Sequence, residues 1–254
     1  MNRLKTGVPG LDELIEGGFP EGSSVLLSGA AGTGKSICCM QYLYYGAKEE
    51  GQPGVYITLE EGQHNLWWNM QRFKWDILPL QQQNLLQIYK FEPGEEESDD
   101  SSPHSLLLTP DQMPRLYGGT DPAIQIRRIV DKAREIGARR MVIDSISAFT
   151  YWYSDEARIR KVIYRLVEEL RNINCTTILS CEVKGGKRDY SMFGVEEFLV
   201  DGLVMLYFFP PNRSIFVRKM RGTDHSKSIH PMQISETGLA VSSKEEVLWE
   251  AIKD

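Results

Sequence analysis

The sequence predicts an α/β fold: a mostly parallel central sheet flanked by helices, with an antiparallel extension at its C-terminal end. Three observations predict it. Apolar runs of strand length alternate with helical segments between residues 24 and 180, the order that builds parallel sheets. One strand–loop–helix junction carries Gly29-Ala-Ala-Gly-Thr-Gly-Lys-Ser36, the spacing of a phosphate-binding P-loop, or Walker A motif. The last strand-like runs, 201–208, 214–221 and 229–234, follow one another with no helix between them, so they pair antiparallel.

Taken in order, Leu11, Leu14 and Ile15 form a short helical stripe that Gly17 and Gly18 end. Residues 24–28 read as the first buried strand, and 37–47 as a mostly apolar helix. Gln52-Pro53-Gly54 turns into a second strand over 55–59, with Glu60 and Glu61 at its carboxyl end, where ligands bind in open α/β sheets. A helix over 64–73 mixes apolar and exposed positions through Trp67, Trp68, Met70 and Phe73, and 85–91 is a third strand. The stretch 92–122 is the least regular: Glu92, Glu95, Glu96, Glu97, Asp99 and Asp100 come with no base, among prolines 93, 103, 110, 114 and 122. It reads as an acidic surface insertion, either a solvated excursion or a contact for a partner.

An amphipathic helix over 123–136, apolar at 126, 129, 130, 133 and 136, stops at Gly137. A buried strand over 140–144 ends in Asp144, a second amphipathic helix covers 157–173, a strand covers 176–180, and 185–191 is a loop. Ser243-Lys-Glu-Glu246 has the form of a capping box opening a short terminal helix with Leu248, Trp249 and Ile252. One catalytic-type domain is therefore expected over 1–241, with a helical tail over 242–254.

Composition narrows the class. A chain of 254 residues, 41% hydrophobic and 25% charged, suits one large soluble α/β domain. No apolar run nears the roughly 20 residues of a membrane helix. No signal-peptide core follows Met1, so a cytoplasmic protein is expected. Cys38 and Cys39 are neighbours in a helix, while Cys175 and Cys181 lie about 20 Å apart along one strand, beyond disulfide reach. With His64, His104, His225 and His230 they make no zinc spacing, so they read as small buried residues. The net charge of −6 is accounted for by the acidic run alone, which gives no support to a strongly nucleic-acid-binding surface.

The chemistry starts at the P-loop. Glycines let several backbone N–H groups approach phosphate at the mouth of a helix. Gly29, Ala30, Ala31, Gly32, Thr33, Gly34, Lys35, Ser36 and Ile37 are the expected nucleotide-binding residues. Lys35 would bridge the terminal phosphates, and Ser36 Oγ would hold Mg2+. Asp144, ending an apolar strand, is a Walker B candidate on the other side of the same ion. Glu60 and Glu61 either orient and deprotonate the attacking water or cap the next helix. Lys219 and Arg221, two apart on one strand, are either an anion site or a solvated edge.

At this point a resemblance covers nearly the whole chain outside 92–122 and the last helix. Thr6-Gly-Val-Pro-Gly-Leu-Asp-Glu-Leu, the P-loop, Gly54-Val-Tyr-Ile-Thr-Leu-Glu-Glu61, Phe193-Gly-Val-Glu-Glu-Phe198 and Lys219-Met-Arg-Gly-Thr-Asp-His225 resemble the KaiC family of RecA-like ATPases. The resemblance implies a RecA-type core, ATP with Mg2+, Glu60 and Glu61 as the catalytic pair, and hexameric rings with ATP between subunits. It also implies that Lys219, Met220, Arg221, Thr223 and His225 reach ATP bound by a neighbouring subunit. The adjacent Ser-Thr pair phosphorylated in the clock protein is replaced here by Glu197 and Phe198, so autokinase activity is not implied. Arg72 stands near a position where the family can place a small polar residue against the nucleotide, so base recognition is expected to differ.

The leading expectation is a ring ATPase that drives or regulates a protein partner. A nucleotide-gated scaffold with negligible turnover uses the same site. A RecA-like DNA-dependent ATPase would instead use the basic clusters Lys184-Gly-Gly-Lys-Arg188 and Arg158-Ile-Arg-Lys161, both short.

Overall fold

The computed structural model describes residues 2–91, 122–153, 155–183 and 190–247. The acidic run within 92–121, the basic cluster 184–188, and Leu248, Trp249 and Ile252 lie outside the described residues.

A small antiparallel pair, β1 (Arg3–Leu4) with β2 (Phe19–Pro20), brackets α1 (Leu11–Leu14). The main run follows: β3 (Ser24–Gly29), α2 (Lys35–Glu49), β4 (Gly54–Thr58), α3 (Gln63–Met70), α4 (Leu78–Gln82) and β5 (Leu86–Lys90). After the undescribed segment come α5 (Pro122–Glu135), β6 (Arg140–Asp144), α6 (Phe149–Trp152), α7 (Glu156–Asn172), β7 (Thr176–Cys181) and α8 (Glu196–Leu199). The chain ends in β8 (Gly202–Phe209), β9 (Asn212–Met220), β10 (Ile229–Ser235) and β11 (Gly238–Val241).

These strands form one nine-stranded sheet in the order β11-β10-β9-β8-β3-β7-β6-β4-β5. The segment from β8 to β5 is parallel throughout, and β9, β10 and β11 extend it antiparallel, as the order of elements predicts. Successive strand residues face opposite sides. Val25 and Leu27 accordingly pack toward α2, with Tyr42 and Val142, while Leu26 packs toward α7, with Ile143 and Leu166. Helix α7 shows why the pattern works: Ile159, Val162, Ile163, Leu166, Val167 and Leu170 recur at helical spacing and are all buried. Each such side chain contributes roughly 1.5–3 kcal/mol on leaving water. The Asp155 carboxylate caps the helix by accepting from the Ala157 N–H at 3.0 Å. All four cysteines are buried and unpaired.

Two local expectations are corrected. The capping box at Ser243 does not form. Ser243 and Lys244 lie in a turn, the Ser243 hydroxyl bonds Glu13, and Val247 makes an antiparallel bridge to Ile229. The chain here adds to the sheet's edge instead of opening a helix. Arg221 also lies one residue past the end of β9, so Lys219 and Arg221 are not two residues of one strand, although the Arg221 N–H still donates to the Asp201 carbonyl. Among the described residues no helix is long and apolar enough to cross a membrane.

Candidate active site at the carboxyl ends of the parallel strands

Strands β3, β4, β6 and β7 run the same way, so the loops after them open on one edge of the sheet. There they enclose a cavity of about 600 Å³ whose walls include Lys35, Ser36, Glu60, Glu61, Asp144 and Glu182. Ala31, Gly32, Gly34 and Ile37 complete the P-loop side. Gly34 is the N-cap of α2 at φ +105°, and a Cβ there would stand 2.8 Å from Ile234 Cδ1. Only glycine combines that backbone with that contact. The first-turn N–H groups of α2 have no intrahelical acceptor and face the cavity mouth.

Gly29, Ala30 and Thr33 shape the loop from below. Thr33 Oγ1 donates to the Ala30 carbonyl at 2.8 Å. The Lys35 ammonium donates to the carbonyls of Gly29 at 2.8 Å and Ala30 at 3.0 Å. Its stem is buried, so the charge is held at the rim of the loop, close to where phosphate would sit.

Asp144 ends β6 and is flanked by donors from both neighbouring strands. Tyr56 of β4 donates to Oδ2 and Ser180 of β7 donates to Oδ1. Burial, followed by the Asp144 charge, pushes the Tyr56 phenol well above its usual range, so it stays a proton donor. Ser36 and Asp144 line the same cavity, which brings a hydroxyl and a carboxylate to one site. Oxygen donors of this kind suit Mg2+, which takes most of its shell from water and phosphate. Among the described residues no group of three His, Cys, Asp or Glu side chains could hold a metal ion.

Glu60 and Glu61 lie beyond the end of β4, in a bend, and both line the cavity. Thr58 closes the bend, its Oγ1 donating to the Glu61 carbonyl at 2.6 Å and accepting from the Glu61 N–H at 3.1 Å. The N-cap of α3 is Gly62, and the Glu61 carboxylate accepts from Asn69, near the far end of that helix, at 2.8 Å. Glu60 has its carboxyl pushed up, first by burial and then by the charges of Glu182 and Asp144, with Lys35 opposing. A carboxylate with raised proton affinity beside a phosphate site has the character of a general base.

Two cavity residues, Glu182 and Arg213, and the buried Tyr56 behind Asp144 escaped the sequence reading. Glu182 follows β7, one strand away from both β3 and β6, and its signal was available: it ends an apolar run just as Asp144 does. Arg213 opens β9, donates to the Gly32 carbonyl at 3.1 Å and stacks its guanidinium 3.9 Å from the centre of the Phe208 ring. Tyr56 reads as an ordinary strand aromatic. Arg72, expected near a base, does line the cavity, with its guanidinium over Phe73. The Arg158–Lys161 cluster sits on α7 beside a separate groove with Tyr164, Arg165 and Leu199.

Lys219, Met220, Arg221, Thr223 and His225 are not brought to this cavity. Met220 pairs with Gly202, the first residue of β8, and Gly202 pairs with Val25 near the start of β3. The group therefore sits at the amino ends of the parallel strands, roughly 13 Å of strand from the P-loop. Lys219 Nζ donates to the carbonyls of Glu197 at 2.9 Å and Val200 at 2.7 Å. Burial and the Arg221 charge lower its proton affinity. Arg221 pairs with Asp201 at 3.3 Å, Thr223 accepts from Arg3 at 3.0 Å, and His225 bonds the Ser226 carbonyl at 2.8 Å. Met220 is buried.

Comparison with known proteins adds to this geometry. The profile of the family described as "ATPase: KaiC" matches residues 4–246. A UPF0273 protein of Pyrococcus horikoshii is 35% identical over 94% of this chain and 93% of its own length. The circadian clock oscillator protein KaiC of Synechococcus elongatus is 31% identical, over 94% of this chain but 44% of its own length. Among solved structures, a KaiC-like protein from Pyrococcus horikoshii OT3 superposes with a TM-score of 0.77 at 35% identity, covering 94% of this chain and 98% of that one.

Proposed function

The chain belongs to the KaiC ATPase family, and from that premise we propose that it binds ATP with Mg2+ in the P-loop cavity, hydrolyses it, and works as a ring in which each site is completed by the next subunit. Lys35 and the first-turn N–H groups of α2 hold the phosphates. Ser36 and Asp144 hold the Mg2+, which when bound draws charge from the phosphate oxygens. Glu60 takes the proton from the attacking water, and its raised proton affinity suits that work. Glu61, tied to Asn69, fixes the bend that carries Glu60. The ring's output is assigned to a protein partner, since the basic clusters that a nucleic acid would need are short.

The observation that carries the shared-site reading is the placement of Lys219 and Arg221. They stand at the opposite end of the sheet from their own P-loop and are directed onto the 197–201 segment. Cations there have no route to their own nucleotide, whereas the P-loop of a second copy can come to them. Hexameric closure is the family's expectation carried to this chain.

The test is subunit mixing. Arg221→Ala retains a complete P-loop and Lys35→Ala retains Arg221, so each variant alone is expected to hydrolyse ATP poorly. An arginine reaching across an interface contributes about 10³–10⁵ in rate in the best-studied cases. Mixed rings should regain activity at junctions that join the two intact halves. A mixture that exchanges subunits yet stays inactive would overturn the proposal.

A further inference from the structure

We infer that Asp201 is the positioning residue for Arg221, holding that guanidinium in the pose in which it meets a neighbouring subunit's phosphates; the inference rests on the shared-site reading above. Asp201 lies between α8 and β8, and it engages Arg221 twice. The Arg221 N–H donates to the Asp201 carbonyl at 2.9 Å, and the Arg221 guanidinium pairs with the Asp201 carboxylate at 3.3 Å. A second guanidinium nitrogen reaches the Phe198 carbonyl at 3.4 Å. Backbone and side chain of Arg221 are thus referred to one short segment.

An exposed arginine paired with an aspartate is ordinarily a weak surface contact. Asp201 differs in being anchored on its other side. Its carboxylate accepts the Ser24 N–H at 3.1 Å and the Arg171 guanidinium at 3.2 and 3.1 Å, and the side chain is 16% exposed against 55% for Arg221. Arg171 divides between this carboxylate and Glu168, which it meets at 2.6 Å, and the Lys219 ammonium rests on the carbonyls of Glu197 and Val200. Arg221 commits two guanidinium nitrogens to this segment, and its remaining N–H donors can meet an anion. Asp201 therefore supplies direction more than neutralisation. Ser24 opens β3, so the same carboxylate is tied to the strand that leads into its own subunit's P-loop.

The experiment compares Asp201→Ala, Asp201→Asn and Arg171→Ala in the full chain, alone and in mixed rings. Misplacing a catalytic group by about 1 Å can lower rates by about 10²-fold. Asp201→Ala is expected to bind ATP like the parent while kcat falls about 10- to 100-fold. Asp201→Asn, which keeps the shape and an acceptor oxygen, should melt like the parent and still lose part of kcat. Arg171→Ala removes one anchor of Asp201 and leaves the Ser24 N–H, so it should lower kcat less than Asp201→Ala does. Asp201→Ala should regain activity when mixed with Lys35→Ala and not when mixed with Arg221→Ala, because the latter two lesions lie on one face. Parental kcat in a well-folded Asp201→Asn and Asp201→Ala, or rescue of Asp201→Ala by Arg221→Ala, would overturn the inference. If Lys35→Ala and Arg221→Ala themselves fail to complement, the shared site falls first and takes Asp201 with it. If they do complement and the Asp201 variants behave as wild type, the Asp201 inference alone is wrong.

Discussion

Replacing Tyr56 by Phe removes one oxygen from behind Asp144 and leaves the ring in place. Tyr56 is fully buried, and its hydroxyl is the donor that fixes Asp144 Oδ2. A hydrogen bond to a charged group contributes about 1.5–3 kcal/mol, and water can reach the half-buried Asp144, so the lower end, about 1.5 kcal/mol, applies. In a domain of this size 1 kcal/mol moves Tm by about 2–4 °C, giving an expected fall of about 3–6 °C. Asp144 then keeps Ser180 as an orienting donor but loses the one on Oδ2. Loss of a residue that orients a metal ligand typically weakens metal use about 10- to 100-fold. The Mg2+ concentration for half-maximal phosphate release should rise accordingly. Thermal melts without nucleotide and a Mg2+ titration of phosphate release are the assays. An unchanged Tm together with an unchanged Mg2+ requirement would refute the reasoning, because Tyr56 would then be packing alone.

Glu60→Gln should lower kcat by about 10²–10⁴-fold with ATP still bound, and Glu61→Gln should lower it less; equal losses in a steady-state assay would contradict their different partners. Glu60 works as a base only when deprotonated, and its raised proton affinity sets the acid limb of kcat above the ordinary carboxylate range. Glu182→Gln removes the largest charge raising it, so the limb should move to lower pH; a pH profile with an unmoved limb would show that Glu182 does not act on Glu60. Gly34→Ala forces a side chain into φ +105° against Ile234, a strain of about 1–3 kcal/mol, and should reduce both Tm and ATP affinity. Parental values for both would mean the loop relaxes freely.

Much of this was legible because it is local. The strand runs and the periodicity of α7 could be read from spacing, and Asp144 was recognisable because it closes an apolar run. What escaped was nearly all cross-strand. That Tyr56 meets Asp144 depends on β4 and β6 being neighbours in the observed register, Thr58 opposite Asp144. Arg213 needed the β8–β9 hairpin to bring it back to Gly32. Glu182 lies two residues beyond 180, where the sequence reading ends the strand, because β7 continues through Cys181. Ser243 looked like a helix cap on local pattern, but its hydroxyl reaches Glu13, 230 residues earlier. Lys219 and Arg221 were located by motif, and their position at the far end of the sheet only by the antiparallel return of β9.

Arg140 offers a different kind of consequence. Its side chain is fully buried and lies over Tyr42, donating to the carbonyls of Lys5 and Tyr42 and to Gln52. It can lie there because residue 46 has no side chain: a Cβ at Gly46 would stand 2.2 Å from Arg140 Nε and 2.3 Å from Cδ. Neither position is free to vary by itself. A larger residue at 46 evicts the guanidinium, and a smaller residue at 140 leaves a void between α2 and the base of β6. The two are bound into one evolutionary character, so relatives that carry a side chain at the first position are expected to have given up arginine at the second, and a chimera that inherits one from each parent should be unstable even when both parents are sound.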